Sequence, residues 1–434
     1  MGAGRGFISS ILFLITPYIT AVKDKSAKPV APFMRHRLVL LVLAILLVPT
    51  SIAQDNESVV EVTTISLIGQ SDLGIEAIAV SPNGEDVVLV GAVGFAHYIS
   101  AKDPSNEVEL NSNEGDTLNH VDWHPQGLTA LIVGDGGTMV RYTRDDHSIT
   151  HVPGSTANLM GHQLNAISWD SSGNWAYIGG DDGLIMRFRE DGNGNTEYFP
   201  LNGSKLSDVL DLSCHHQMHS ICVMTTESDG IAVIDQQHEL HWLLGSEGTR
   251  WAAVDCPHPE RERCYAVGLG QSVGVVEINS NKPSNSYVAV KHVNIGGEFT
   301  DVHPRSDGHV LLQTVPFGWI DWDITDGDDG LGLAYPWLDN SDVEDVAMRG
   351  ETMAGSWSET EETGFAVTSY GRIVYYYPPK ATISDNIVSA LAPMLVIIAV
   401  PGVFLGLLYI SSPKLQKMYL NWSKARKSSK RGKN

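Results

Sequence analysis

NHVDWHPQGLTALIVGDGGTMVRY, residues 119–142, returns one unit later as NAISWDSSGNWAYIGGDDGLIMRF, residues 165–188. Each copy holds an apolar strand ending in Trp (Trp123, Trp169), a polar turn with Gly (Gly127, Gly173), a second apolar strand, and an Asp-Gly turn into a third. Three strands joined by two tight turns make most of a propeller blade.

Working outward, the template finds seven equivalents of the Trp position: Val80, Trp123, Trp169, Cys214, Cys256, Val302 and Trp357. Their spacings of 43, 46, 45, 42, 46 and 55 residues suit a four-stranded blade. Gly94, Gly137, Gly183 and Gly371 each follow their anchor by 14 residues, and Gly230 and Gly318 follow theirs by 16. The prediction is an all-β, seven-bladed β-propeller over residues 54–380. The last blade has only three strands of its own, and the apolar segment VVEVTTISLI, residues 59–68, precedes the first blade. Pairing the two closes the ring and removes open sheet edges.

The two chain ends read differently. Met34-Arg35-His36-Arg37, an apolar run over residues 38–48, and the small residues Ser51 and Ala53 form a secretory signal with cleavage before Gln54. Residues 1–53 are thus an N-terminal extension plus signal peptide. Residues 6–22 are a further apolar run, which fits either translation from Met34 or an additional membrane segment. At the other end, residues 387–410 are uncharged and long enough to span a bilayer, with Pro393 and Pro401 inside. The tail, residues 411–434, carries eight Lys or Arg. The positive-inside rule places it in the cytoplasm and the propeller outside, giving a single-pass cell-membrane protein. In an exported chain the sequons at Asn56 and Asn202 become glycosylation sites where the host glycosylates.

Net charge is -22. The region between the two ends holds 50 acids against 15 bases, so the ectodomain repels nucleic acid and anionic membrane. It favours cations, basic partners, or solubility in salt.

The four cysteines form two C-x7-C pairs, Cys214 with Cys222 and Cys256 with Cys264. Each first member fills the Trp position and each second member falls on the next strand, so a disulfide across one hairpin is expected in blades four and five. The alternative is a zinc or copper site drawn from SCHHQMHSIC, residues 213–222. Two acidic loops are candidate calcium ligands: one through Asp191, Asn193 and Asn195, the other over residues 323–329. Neither completes the calcium-loop pattern, and turn chemistry alone explains Asp, Asn and Gly there. No cofactor is expected beyond this calcium candidate.

The sequence has no Gly-x-Ser-x-Gly elbow, no phosphate-binding glycine loop and no His-Glu-x-x-His, so no catalytic residue is assigned. The loops that gather at one end of a propeller channel are the expected ligand face. His120, His162, Asp208, Arg250, Trp251, Phe317, Trp319 and Tyr370 are its candidate residues, with the aromatics Phe317, Trp319 and Tyr370 preferred.

VGDGGTMVRY (residues 133–142), IGGDDGLIMRF (178–188) and VDCPHPERERCYAVG (254–268) resemble the sialidase-type BNR propellers, especially those related to photosystem II stability and assembly factors. The resemblance covers most of the ectodomain and implies a seven-bladed scaffold or binding platform. The Ser-x-Asp-x-Gly-x-x-Trp box of sialidases is absent, and the acidic surface differs from the basic docking patch of the assembly factors. The expected role is a non-catalytic scaffold for an extracellular or envelope protein or polymer. A glycan or lactone hydrolase or lyase is the alternative, and a self-associating surface-layer component a third.

Overall fold

In a computed structural model, residues 59–378 are described except 70, 192, 216–219, 258–261, 295, 306–308, 316–317, 324–330, 339–349 and 361, together with 411–431. The described strands form seven four-stranded antiparallel sheets, and the propeller is one compact unit, Asn56–Pro379. The innermost strands are Ile75–Val80, Leu118–Trp123, Leu164–Trp169, Val209–Cys214, Trp251–Asp255, Glu298–Pro304 and Met353–Ser358.

The second strand of a blade has sheet on both edges and a neighbouring blade on both faces. Its sequence is accordingly apolar without alternation: DVVLVG (Asp86–Gly91), CVMTT (Cys222–Thr226) and GFAVT (Gly364–Thr368) are buried at every position. The ring closes as expected. Glu61–Leu67 lies antiparallel to Arg372–Tyr377 as the outermost strand of blade 7, with Glu61 opposite Tyr377 and Leu67 opposite Arg372.

The turn glycines have a double cause. In blades 1–3 the turn into the third strand contains two consecutive left-handed residues: Val93 and Gly94 (φ 53° and 69°), Gly136 and Gly137 (67° and 82°), and Asp182 and Gly183 (51° and 71°). At the second position a Cβ would also lie 2.2 Å from Glu114 O, 2.1 Å from Leu159 O and 1.9 Å from Lys205 O respectively. The loop entering the next blade presses on that spot, so only glycine fits.

Every innermost strand carries a register shift near its start, between Leu118 and His120 in blade 2 and between Phe299 and Asp301 in blade 6, for example. The ladder register displaces two of the sequence anchors. Trp123 faces Ala130 and Cys214 faces Cys222; the blade 6 counterpart is Pro304, facing Val310, not Val302. In blade 7 it is Ser358, facing Gly364, not Trp357. Trp357 instead sends its Nε1–H to Ala101 O at 2.9 Å, across the blade 7–blade 1 boundary.

Both expected disulfides are present, Cys214–Cys222 and Cys256–Cys264, and no described cysteine is free. Oxidised sulfurs are not thiolate ligands, which removes the cysteines from the metal alternative.

Outside the propeller, Pro413–Arg431 is a helix. Among the described residues no helix is long and apolar enough to cross a membrane. The expected signal, residues 1–53, and the expected span, residues 387–410, lie outside the described residues.

Candidate binding site: the central channel and its acidic mouth

The seven innermost strands enclose a channel cavity of about 510 Å³. Alternate residues point into it, so two polar tiers follow from the period of two. One tier contains His120, Asp211 and Asp301; the other contains Asp122, Ser168, Ser213, Asp255 and His303.

These side chains join blades that share no sheet. Asp122 Oδ2 accepts the Trp169 N–H at 2.7 Å, Ser168 Oγ accepts that of Cys214 at 3.1 Å, and Ser213 Oγ accepts that of Cys256 at 3.2 Å. Asp211 skips none of this duty: its Oδ2 accepts the Val254 N–H at 2.8 Å. His120 Nδ1 accepts the Ile167 N–H at 3.4 Å, which leaves Nε2 facing Asp211 Oδ1 at 3.7 Å.

Enclosure shifts the titrations. Burial raises the Asp211 carboxyl well above the ordinary range, against the N–H bonds from Val254 and Leu212 and with help from Asp301 and Asp255. Burial likewise pushes Asp255 up to about 6 and lowers His120. Asp255 therefore gives up its proton nearer neutrality than a free carboxyl does.

At the end where the innermost strands begin, the turns into the third strands and the loops between blades converge on an acidic mouth. Glu76 is raised by burial, then by Asp135 and Asp72. Asp135 Oδ1 accepts Asn119 Nδ2–H at 2.9 Å, Asp208 Oδ1 accepts the Asp182 N–H at 3.0 Å, and Asp229 Oδ2 accepts the Ser207 N–H at 2.9 Å. The carboxylates are held by loop hydrogen bonds and outnumber the cations around the opening, where Lys205 lies beside Asp229.

The structure sorts the expected ligand residues. His120 is in the channel. His162, with Nδ1 2.9 Å from Asp181 Oδ1, and Asp208 are at the mouth, and Arg250 and Tyr370 are exposed nearby. Trp251 and Trp319 correct the expectation of rim aromatics: at 0% and 1% exposure they fill interblade cores. Trp251 even spends its Nε1–H internally, on Ser246 O at 2.7 Å. Phe317 lies outside the described residues.

Of the calcium candidates, Asp191 is a turn cap. Its Oδ1 accepts the N–H groups of Asn193 and Asn195 at 2.8 and 2.9 Å, and its Oδ2 accepts Asn195 Nδ2–H, which together pull its carboxyl down to about 2. Residues 324–330 of the second loop lie outside the described residues. Among the described residues, the three-residue group that does converge is Asp235, Glu239 and His241, whose ligand atoms lie within 4.8 Å of one another. There too Asp235 Oδ1 already accepts the Gln237 and Glu239 N–H groups at 2.9 Å.

The sequence reading missed Asp211, Asp255 and Asp301. An acid inside an apolar strand, as in VLDLSC (Val209–Cys214), was the available signal, because such a residue must face a channel or a partner.

No protein-family model matches the sequence, and no curated protein matches it. Among solved structures, a catalytically inactive variant of virginiamycin B lyase from Staphylococcus aureus, crystallised with quinupristin, superposes with a TM-score of 0.55 at 12% identity. The match covers 74% of this chain and 100% of that one. The likeness shows the fold alone.

Proposed function

We propose that the chain is a single-pass membrane protein of the cell surface, made with a cleaved signal and anchored through residues 387–410. Its propeller, of the BNR type that the repeats resemble, is a non-catalytic scaffold whose acidic mouth binds a cationic segment of an envelope protein or polymer. The observation that carries this reading is the division of labour among the acids. In the channel, Asp122 and Asp211 are committed to the N–H groups of neighbouring blades, whereas at the mouth Asp135 and Asp72 lie close enough to Glu76 for their like charge to raise its carboxyl.

The test is capture of partners by the full chain from its own host's membranes, with cross-links mapped onto the propeller. Asp135→Lys with Asp181→Lys is expected to weaken capture by about tenfold or more at low salt. Unchanged capture overturns the assignment of the mouth.

A second reading, a lyase or hydrolase acting on glycans or lactones with calcium in the channel, is favoured by the His120–Asp211 pair and its shifted titrations. Turnover abolished by His120→Ala, with partner capture intact, would establish it in place of the scaffold.

A further inference from the structure

Beside the turn of blade 1 lies a second cavity, of about 800 Å³, between that turn and the loop entering blade 2. Its walls are Leu73, Val93 and Phe95, and its rim carries Asp72, Glu109 and Glu114. No lysine or arginine lines it among the described residues.

Val93 is the residue that needs explaining. It occupies the first left-handed position of the turn, where blades 2 and 3 place Gly136 and Asp182. A β-branched side chain is poorly suited to φ 53°, and this one is also 77% exposed. Neither folding nor solubility favours valine at this position. An apolar contact made from outside does.

We propose that this pocket is a docking site for a basic, amphipathic peptide segment of a partner protein: one apolar side chain enters against Leu73, Val93 and Phe95 while flanking lysine or arginine meets Asp72 and Glu109. Glu114 is already bridged to His151 Nε2 at 2.9 Å and completes the rim. The proposal rests on the reading of the propeller as a binding module and names the site and the chemistry of its partner. Charge complementarity selects the occupant, since an acidic or neutral apolar segment gains nothing from this rim.

The test uses the full chain in phosphatidylcholine nanodiscs and a dye-labelled hexapeptide containing one leucine between two lysines. Val93→Gly supplies the residue the turn prefers, so its melting temperature is expected to hold or rise while its affinity for the hexapeptide falls about fivefold or more. Asp72→Asn with Glu109→Gln, and a hexapeptide with serine for leucine, are each expected to give a loss of about the same size. Undiminished binding in any of these three arms overturns the proposal. If Val93→Gly still captures the native partner fully, the propeller remains a binding module and this pocket is not its site. If neither the native partner nor the hexapeptide binds the wild-type chain, both readings fall.

Discussion

Blades 2, 3 and 4 end their innermost strands with Trp123, Trp169 and Cys214; in blade 5 the equivalent residue, Cys256, directly follows the strand. The slot is the same. Trp123 sends its Nε1–H to Ala79 O of the preceding blade at 3.0 Å, and the sulfurs of Cys214 and Cys256 lie 3.9 and 3.7 Å from the equivalent carbonyls, Ser168 O and Ser213 O. One solution fills the wedge between blades with aromatic area. The other uses less volume and ties the hairpin covalently. A repeat fold therefore constrains the space to be occupied, while leaving open the chemistry that fills it: Trp169 occupies the slot without a partner for its Nε1–H, and the oxidised sulfurs have no proton to give.

The largest expected effect breaks the aromatic solution. Trp123→Ala removes a side chain that is 3% exposed and packed edge-on to Tyr142 at 5.5 Å, and should cost about 3–5 kcal/mol in urea unfolding of the full chain. A loss below ~1 kcal/mol would mean that the slot tolerates a cavity and that the comparison has no energetic content.

Next comes the covalent solution. Cys256→Ser with Cys264→Ser opens a short loop and should cost about 2–3 kcal/mol. Reductant is expected to shift the wild-type melting curve by the combined effect of both bridges, and that of this variant only by the share of Cys214–Cys222. Equal shifts in the two proteins would show that the second bridge does not stabilise its blade.

The smallest effect sharpens the comparison one residue earlier. Asp122 precedes Trp123 and its carboxylate accepts the Trp169 N–H; Asp255 precedes Cys256, and burial raises it to about 6 while its Oδ2 is enclosed without a hydrogen-bond partner. A carboxyl raised in the folded state favours folding when protonated, and that advantage is lost as pH rises from ~4 through about 6. The stability of wild type relative to Asp255→Asn should therefore decline across this window and level off above it. Melting curves at a series of pH values check this, and parallel curves would show that Asp255 ionises in the folded protein as it does in the unfolded chain.

Much of the architecture was legible because blades 2 and 3 keep each landmark: a terminal tryptophan, a turn glycine, an Asp-Gly pair. The cysteine spacing placed both bridges for the same reason. Legibility failed at Val302 and Trp357, where the displaced register of the innermost strand separates apolar character from ladder position. It failed again at Trp251 and Trp319. Sequence marks them as large aromatics near strand starts, but only the packing of adjacent blades shows them covered. The channel acids were legible only in part: Asp211 interrupts the apolar strand Val209–Cys214, but that it shares a channel with Asp301 emerges only when the seven innermost strands are brought around one axis.

The pairing of Glu61–Leu67 with Arg372–Tyr377 has a consequence for biogenesis. The first of the described strands has its mate in the last, so its edge stays unmatched until nearly the whole propeller has been synthesised. Such a long-range contact forms late and slowly. The growing chain must therefore keep that first strand from pairing with other chains until the seventh sheet is complete, and truncation anywhere before Arg372 would leave two sticky borders in place of a sealed circle.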